Sequence, residues 1–420
     1  MDELRRGWRT LLGSAIGMGA GIGMFGSANS YFIKPLHAAF GWSRGQVALS
    51  SIGVLLTSLA MPAVGVMIDR YGPRYFILAG AILFAAAYLA LSAMSGHLLI
   101  YLVIVLAIGL TAGPATAPLI FTRPLVEAFA KSRGLALAFG MSGSVALAIF
   151  VQPALQHVIA ADGWRAGYLI MAPISLACGV VSFFLLFNAM PTRLAPVPAA
   201  LPEPGAGHSL GQALRDPRFW LLALSMACIS MAGAAFAGQL QALLSDLAVP
   251  GATAALLGAW YAASVVIGRL ICGTLLDRLW SPGVGFVALS GPVFGLLVFL
   301  GHAPPLWLMA VGVALVGLSQ GAEGDMLAFF TARYFGLKAF GVIFGILGMC
   351  FGIAVAVGGV AGGMLFDRVG DYHLNLELGS VLSAAAAISL LASGLLRGRT
   401  ATAPSADEVE TAALSISTGG

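Results

Sequence analysis

The feature that most constrains this chain is a series of apolar runs, each long enough to cross a lipid bilayer. A transmembrane helix needs about 20 predominantly apolar residues. Charged residues make up only 9% of the chain and hydrophobic residues 59%, whereas soluble proteins carry about 25% charged residues. We therefore predict an all-α membrane protein with twelve transmembrane helices. The predicted spans are 11–33, 46–68, 75–95, 98–122, 134–160, 166–189, 218–244, 252–276, 283–301, 305–331, 339–365 and 375–396.

One polar segment divides these spans into two sets of six. Residues 190–217 are rich in proline, alanine and glycine, a composition typical of extended or mobile linkers. The segment after the last span is polar and acidic, which predicts disorder. The predicted organisation is an N-terminal six-helix bundle (1–189), a linker (190–217), a C-terminal six-helix bundle (218–396) and a disordered tail (397–420).

Basic residues give the predicted orientation. Sixteen of the 21 lysines and arginines fall on the side of the N-terminus, four fall on the other side and one lies within a span. Because cytoplasmic loops carry an excess of Lys and Arg, both termini, the linker and the tail are predicted to be cytoplasmic. Short loops and an Ala- and Gly-rich composition favour a bacterial cell inner membrane.

A short motif occurs once in each half of the chain. The string GVMIDRYGPR begins at Gly65, and GTLLDR begins at Gly273, 208 residues later (273 minus 65). Two copies at matching positions indicate an internal duplication, which is typical of transporters. Glycine permits close helix approach, and aspartate can face a helix N-terminus. We therefore predict a conformational latch between helix ends, formed by Gly65, Asp69, Arg70, Gly72, Arg74, Gly273, Asp277 and Arg278.

In these features the chain resembles the major facilitator superfamily, which has six plus six helices, a long central loop and the signature G-x-x-x-D-R-x-G-x-R. The resemblance implies two six-helix bundles around a central cavity that opens alternately to either side of the membrane. Four further strings resemble the monocarboxylate and oxalate/formate transporter branch. They are FGWSR at 40–44, KSRGLA at 131–136, GWR at 163–165 and FDRVGDY at 366–372.

The same resemblance implies a role for Arg269. It matches an arginine of the eighth span that, in relatives of this branch, pairs with the substrate carboxylate. The sequence departs from the branch twice. Residues 341–365 contain no cation where oxalate-type members have a lysine, which argues against a dicarboxylate substrate. Val265 stands where some relatives have an aspartate, so a proton-coupling carboxylate has to lie elsewhere.

Ionisable residues deep in a span are functional candidates in their own right, because they are costly unless paired or hydrated. Arg269 has this position in the eighth span, and Gln320, Glu323 and Asp325 lie at a similar depth in the tenth. Glu323 and Asp325 are about 200° apart around a helix, so only one can face a cavity squarely. We favour Glu323 as the proton acceptor beside Arg269, because Asp325 shares its side with Gly321 and other small residues. Helix–helix bonding remains the alternative for both acids, and a gate or structural ion pair the alternative for Arg269.

Several neutral polar residues are candidates for orienting the substrate. Asn29 and Tyr31 lie on the first span, Gln152 on the fifth, Gln239 on the seventh and Tyr261 on the eighth. Each has the alternative of a helix contact. For Arg123 and Glu127, four residues apart, we favour a salt bridge on the helix surface over a gating role.

The remaining sequence signals exclude other classes of function. The four cysteines lie singly in apolar segments, and the chain has no metalloprotease, hydrolase or phosphate-loop motif, so we predict no metal, cofactor or enzyme activity. The net charge of +4 is too small for a nucleic-acid partner.

The sequence therefore predicts a single-chain secondary active transporter for proton-coupled uptake of small organic anions, chiefly monocarboxylates. The alternatives are a proton-driven exporter of a drug-like, aromatic or metalloid compound, and a membrane receptor that does not transport.

Overall fold

The fold is helical almost throughout. The computed structural model describes residues 2–42, 51–129, 132–187, 207–301 and 304–396. Within these ranges the only extended pairing is an isolated bridge between Gly207 and Gly336.

The described residues of the N-terminal half form ten α-helices of very different length. Short 3-10 and π turns at Asn29–Phe32 and Ile108–Ala112 connect some of them. The helices are Asp2–Gly19 (α1), Ile22–Ala28 (α2), Ile33–Phe40 (α3), Ser51–Tyr71 (α4), Arg74–Ser92 (α5), Leu98–Ala107 (α6), Gly113–Ala115 (α7), Pro118–Ala128 (α8), Arg133–Met141 (α9) and Gly143–Phe187 (α10).

The C-terminal half is built from longer and more regular helices. A 3-10 turn at Val298–Leu300 is its one interruption of this kind among the described residues. The helices are Leu210–Arg215 (α11), Pro217–Asp246 (α12), Gly251–Arg278 (α13), Ser281–Leu297 (α14), Leu306–Phe335 (α15), Phe340–Val369 (α16) and His373–Leu395 (α17).

These helices supply the predicted membrane crossings. Ten helical segments of the described chain are long and apolar enough to span a bilayer. One of them, Arg133–Phe187, has 55 residues and turns at Gly163, whose φ of 84° is accessible to glycine without strain, so it provides two crossings. The broken helical segment formed by α1, α2 and α3 covers the first predicted span. The predicted twelve-helix fold is therefore confirmed.

The linker differs from its prediction over part of its length. Residues 188–206 lie outside the described residues, as does the predicted tail 397–420. Residues 210–215 form α11 and are not extended, so the prediction is wrong there. The cause is a capping box, in which Ser209 and Gln212 bind each other's backbone amides and satisfy the first turn of the helix.

The buried apolar residues show how the two halves meet. We call the end of the bundle that contains Asp69 and Asp277 the latch end. The largest buried cluster draws on both halves and includes Ile68 and Leu276, next to these aspartates. Two further clusters each come from one half. One consists of buried residues of the N-terminal half between Met24 and Ala172, and the other of buried residues of the C-terminal half between Phe236 and Leu376. The halves therefore share a core at the latch end and have separate cores away from it.

Close helix packing within the N-terminal half yields a first prediction. A Cβ on Gly143 would overlap the carbonyl oxygen of Ala15, whereas a Cβ on Gly359 would meet nothing within 4 Å. We expect Gly143→Ala to cost about 1–3 kcal/mol through overpacking and to lower the unfolding temperature in detergent. Gly359→Ala is the matched control, and it should leave that temperature unchanged or raise it, because alanine favours helix. Equal unfolding temperatures for the two variants would contradict the close approach of α1 and α10.

Candidate functional site

The first contact of the predicted latch, which we call the first latch contact, joins α4 to α16. Gly72, with a φ of 77°, ends α4 in the left-handed conformation and leaves Asp69 in the last turn of that helix. The carboxylate of Asp69 accepts hydrogen bonds from the backbone amides of Gly341 and Val342, both at 2.9 Å. These amides begin α16, where a negative charge is favourable. Asp69 thus binds the opposite half of the molecule.

The second latch contact repeats this arrangement with the roles of the N-terminal and C-terminal halves exchanged. The carboxylate of Asp277, near the end of α13, accepts hydrogen bonds from the amides of Gly134 (2.7 Å) and Leu135 (3.0 Å). These amides begin α9 in the N-terminal half. The duplicated motif therefore produces two equivalent contacts, each formed by an aspartate of one half and a helix N-terminus of the other.

The motif glycines allow both contacts to form. A Cβ on Gly65 would overlap the carbonyl of Gly341, and a Cβ on Gly273 would lie 2.6 Å from the carbonyl oxygen of Gly134. Both distances are too short for a side chain. Backbone therefore packs directly on backbone at both places, and the structure brings these predicted latch residues together.

Arg123 belongs to the first latch contact, which the sequence-based interpretation did not favour. Its Nη1 donates to Oδ1 of Asp69 at 2.6 Å, and its Nε donates to Oε1 of Glu127 at 2.9 Å. The side chain is only 7% exposed. The predicted pair of Arg123 and Glu127 exists, but it is a buried pair beside the latch and not a surface salt bridge.

The three motif arginines are placed differently from the aspartates. Arg70 is exposed and lies over the ring of Tyr71, 5.3 Å from its centroid. Arg74 donates to the carbonyl of Phe187 in its own half. Arg278 is exposed, and it forms no ion pair with the described residues.

Arg269 lies between the two halves, in the apolar interior of α13. Its Nη1 donates to the carbonyl of Met141 in the N-terminal half at 2.5 Å, and its Nε donates to the carbonyl of Gly321 in its own half at 3.2 Å. The Nε is also 3.4 Å from Oδ2 of Asp325. The side chain is 15% exposed. The guanidinium therefore contacts both halves at one point.

The acid beside Arg269 is Asp325, and the preference for Glu323 in that position is wrong. The face of α15 that contains Gly321 packs directly on α13, because a Cβ on Gly321 would overlap the Val265 carbonyl. Asp325 lies on this face and is 1% exposed, and neither of its oxygens accepts a hydrogen bond from the described residues. The close packing at Gly321 therefore allows Asp325 to lie beside Arg269.

Glu323 lies on another face of α15 and is also buried. Its carboxylate accepts a hydrogen bond from the hydroxyl of Ser230 on α12 at 3.4 Å. It lines a small cavity together with Gln320 and Ser319, and Gln320 accepts a hydrogen bond from the hydroxyl of Tyr261. The predicted group of Gln320, Glu323 and Tyr261 is therefore assembled within the C-terminal half.

The other neutral candidates form separate contacts. The hydroxyl of Tyr31 donates to Oε1 of Gln152 at 3.3 Å, which joins the first and fifth spans. Gln239 accepts from the hydroxyl of Tyr372 at 3.4 Å, at the start of α17. Asn29 is half-buried in the 3-10 turn after α2. Neither of these hydrogen bonds includes Arg269.

Sequence reasoning missed the backbone partners of the latch aspartates and of Arg269, among them Gly134, Gly341 and Met141. A signal for two of them exists. Gly134 follows Lys131 and Gly341 follows Lys338 at the same spacing, and the two glycines are 207 residues apart (341 minus 134), close to the offset of the duplicated motif. For the Met141 carbonyl the sequence offers no signal, because any residue presents a carbonyl.

Comparison with known proteins identifies the family. The Major Facilitator Superfamily model matches residues 11–291, which is more than half of the chain. The chain belongs to the Major Facilitator Superfamily. Among transporters of this superfamily it is 28% identical to human monocarboxylate transporter 11 over 358 residues, covering 80% of this chain and 71% of the relative. It is 25% identical over 382 residues to a probable sulfoacetate transporter of Cupriavidus necator, covering 83% and 86%.

Solved structures of the superfamily have the same fold. A bacterial homologue of the iron transporter ferroportin, in an outward-facing state with soaked iron, superposes with a TM-score of 0.71 at 19% identity. The alignment covers 92% of this chain and 99% of that one. At this identity the likeness concerns the fold alone.

The buried pair in the first latch contact gives a second prediction. Asp69→Asn and Arg123→Gln should each lower the free energy of unfolding, because each removes one ion-pair partner from a charge that is largely buried. The double variant should lose less than the sum of the two, with a coupling of about 1–2 kcal/mol. Unfolding of the purified protein in detergent measures all four forms.

A distant pair serves as the control for this cycle. Arg123→Gln combined with Asp277→Asn joins residues of different latch contacts, so their effects should add to within about 0.5 kcal/mol. Additivity in both cycles would show that Asp69 and Arg123 do not interact.

Proposed function

We propose that this superfamily member is a secondary active transporter that takes up small organic anions, chiefly monocarboxylates, together with protons. The observation that carries the proposal is the position of Arg269. One buried guanidinium contacts both halves of a fold whose members bind their substrate between the halves.

The surroundings of Arg269 suit an anion that arrives and leaves. A cation within a span is costly unless it is paired or hydrated, and the nearest acid, Asp325, is 3.4 Å away without a hydrogen bond. The closer partners of the guanidinium are two neutral carbonyls, those of Met141 and Gly321. A carboxylate could replace them with two parallel, charge-assisted hydrogen bonds.

The named relatives support the same class of substrate. One is named for monocarboxylates and the other for sulfoacetate, and each of these compounds carries a carboxylate. A single arginine, with no cation in residues 341–365, favours one carboxylate over two. These names and this charge count agree with the position of Arg269.

Asp325 is the group that we assign to proton coupling, with Glu323 as the second acid. When an anion binds Arg269, the buried charge of Asp325 loses the cation beside it. Protonation removes that charge and its burial cost. Anion and proton would then enter together, and release of the anion would restore the pair of Arg269 and Asp325.

The direction of opening follows from the two cores and the basic residues. We propose that the latch end and both termini face the cytoplasm of a bacterial cell, an orientation that the excess of lysine and arginine on that side supports. Because the halves share a core there and have separate cores at the other end, we infer that the described conformation is closed on the cytoplasmic side. A single chain holds all the residues that this cycle requires.

The proposal predicts the effect of replacing Arg269. Arg269→Gln should abolish uptake of the transported acid into proteoliposomes, because the carboxylate loses its bidentate partner, and Arg269→Lys should retain at most a small fraction. Acetate, lactate, pyruvate, oxalate and an aromatic acid are screened with an imposed pH gradient. Arg215→Gln, at an exposed position of α11 outside the predicted latch, is the control and should transport normally. Normal uptake by Arg269→Gln would refute the anion site.

The coupling role is tested with two matched amides. Asp325→Asn should lose accumulation driven by the pH gradient and should keep exchange of labelled for unlabelled acid, because exchange needs no net proton movement. Glu323→Gln removes the other buried acid and should retain accumulation. The reverse pattern would assign coupling to Glu323. Net efflux as the only activity would favour an exporter, and binding without exchange of label would favour a receptor.

A further inference from the structure

Two residues of α13 hold the two ends of one helix in the opposite half. Asp277 accepts from the amides of Gly134 and Leu135 at the start of α9. Arg269 donates to the carbonyl of Met141, the last residue of α9, at 2.5 Å. We call this arrangement the α9 clamp. It joins the second latch contact to the proposed anion site through nine residues of helix.

The spacing of the clamp matches the two helices. Arg269 and Asp277 are eight residues apart, and Gly134 and Met141 are seven apart. At about 1.5 Å per residue these separations are about 12 and 10.5 Å. The helices run antiparallel and are in contact between the two ends, because a Cβ on Gly273 would lie 2.8 Å from the Cβ of Ala138. Both ends of α9 can therefore be held at once.

The charges of the clamp complement those of the helix ends. A carboxylate is favourable at the amides of a helix N-terminus, and a guanidinium is favourable at the carbonyls of a helix C-terminus. Ser142, whose φ of −73° and ψ of −9° are right-handed helical, is the single residue between α9 and α10, so the Met141 carbonyl lies at the junction of these two helices. Loss of either charge would leave that end of α9 less firmly bound to α13.

The first latch contact has no counterpart of the hydrogen bond between Arg269 and Met141. Eight residues before Asp69, where Arg269 stands relative to Asp277, the chain has the apolar Met61. The partner helix α16 continues without interruption from Phe340 to Val369, so it presents no helix end there. Of the two latch contacts, only the one at α9 is connected to a cation at the depth of the proposed anion site.

We propose that Arg269 exchanges partners, holding α9 through Met141 when the site is empty and releasing it when a substrate carboxylate binds. This inference rests on the proposed function, because it needs an anion at Arg269. A carboxylate is a stronger acceptor than a neutral carbonyl, and when it binds the edge of the guanidinium that includes Nη1 it competes with the Met141 carbonyl for that donor. Substrate binding would thereby loosen the second latch contact and favour opening of the latch end.

Hydrogen–deuterium exchange of the full chain in lipid nanodiscs tests this exchange of partners. The readout is a peptide covering 132–138, at the start of α9, compared with one covering 340–346, at the start of α16. Without added acid, Arg269→Gln should raise exchange of the α9 peptide about tenfold, the effect of losing one charged hydrogen bond. The α16 peptide should stay at the wild-type rate.

A matched control distinguishes loss of the contact between Arg269 and α9 from a general effect of removing an arginine. Arg218 also donates to a carbonyl near a helix end, that of Leu396, but both residues belong to the C-terminal half. Arg218→Gln should leave both peptides unchanged. Unchanged α9 exchange in Arg269→Gln, or equal acceleration of both peptides, would overturn the clamp.

The second arm uses the unmodified chain and does not depend on any variant folding. Lactate, pyruvate or acetate, whichever is transported, should accelerate exchange of the α9 peptide in the wild type and have no further effect in Arg269→Gln. A transported acid that leaves α9 exchange unchanged or slower would refute the exchange of partners while the proposed function stands. If no acid is transported, the proposed function fails and the exchange of partners fails with it, and the arm without acid still shows whether Arg269 holds α9.

Discussion

Carboxylates bound to helix N-termini across the interface hold the two halves of this transporter together. Asp69 and Asp277 each take two backbone amides from the opposite half. These amides would otherwise be unsatisfied at the first turn of a helix, so the contact satisfies both partners. It also requires backbones to approach closely, which only glycine at positions such as Gly65 and Gly273 permits. The rest of the latch end, including its shared apolar core, is arranged around these two points.

The duplicated motif explains why the two contacts are alike and where they differ. Both aspartates end an even-numbered span and bind the start of an odd-numbered one. The first contact adds Arg123 and Glu127, which bury a cation next to Asp69. The second has Arg269 eight residues from its aspartate. The C-terminal half therefore contributes both the proposed anion site and the aspartate of the latch contact that is linked to it.

Much of the fold could be predicted from the sequence, because apolar length and the positions of charged residues follow directly from the cost of burial in lipid. Twelve spans, the duplicated latch motif and the shared depth of Arg269 with Glu323 and Asp325 were all accessible in this way. The choice between the two acids was not, since it depends on which face of α15 meets α13. Small residues were interpreted as a packing face away from the site, yet Gly321 packs against the helix that bears Arg269, so Asp325 is the acid that faces it.

Other features lay beyond sequence reasoning because they involve backbone groups or local capping. The Met141 carbonyl is one, and the short helix Leu210–Arg215 in the predicted linker is another. In both cases the outcome depends on where a helix ends, and apolar periodicity defines helix ends poorly.

The backbone contacts of Gly65 with Gly341 and of Gly273 with Gly134 have a consequence for tightness of the membrane seal. No layer of side chains lies between these strips of main chain, so nothing there can compress or swell by degrees. The two surfaces either touch fully or part. An interface of this kind has no partly open state. We therefore expect it to limit the leak of protons and other ions through the protein when no substrate is being transported.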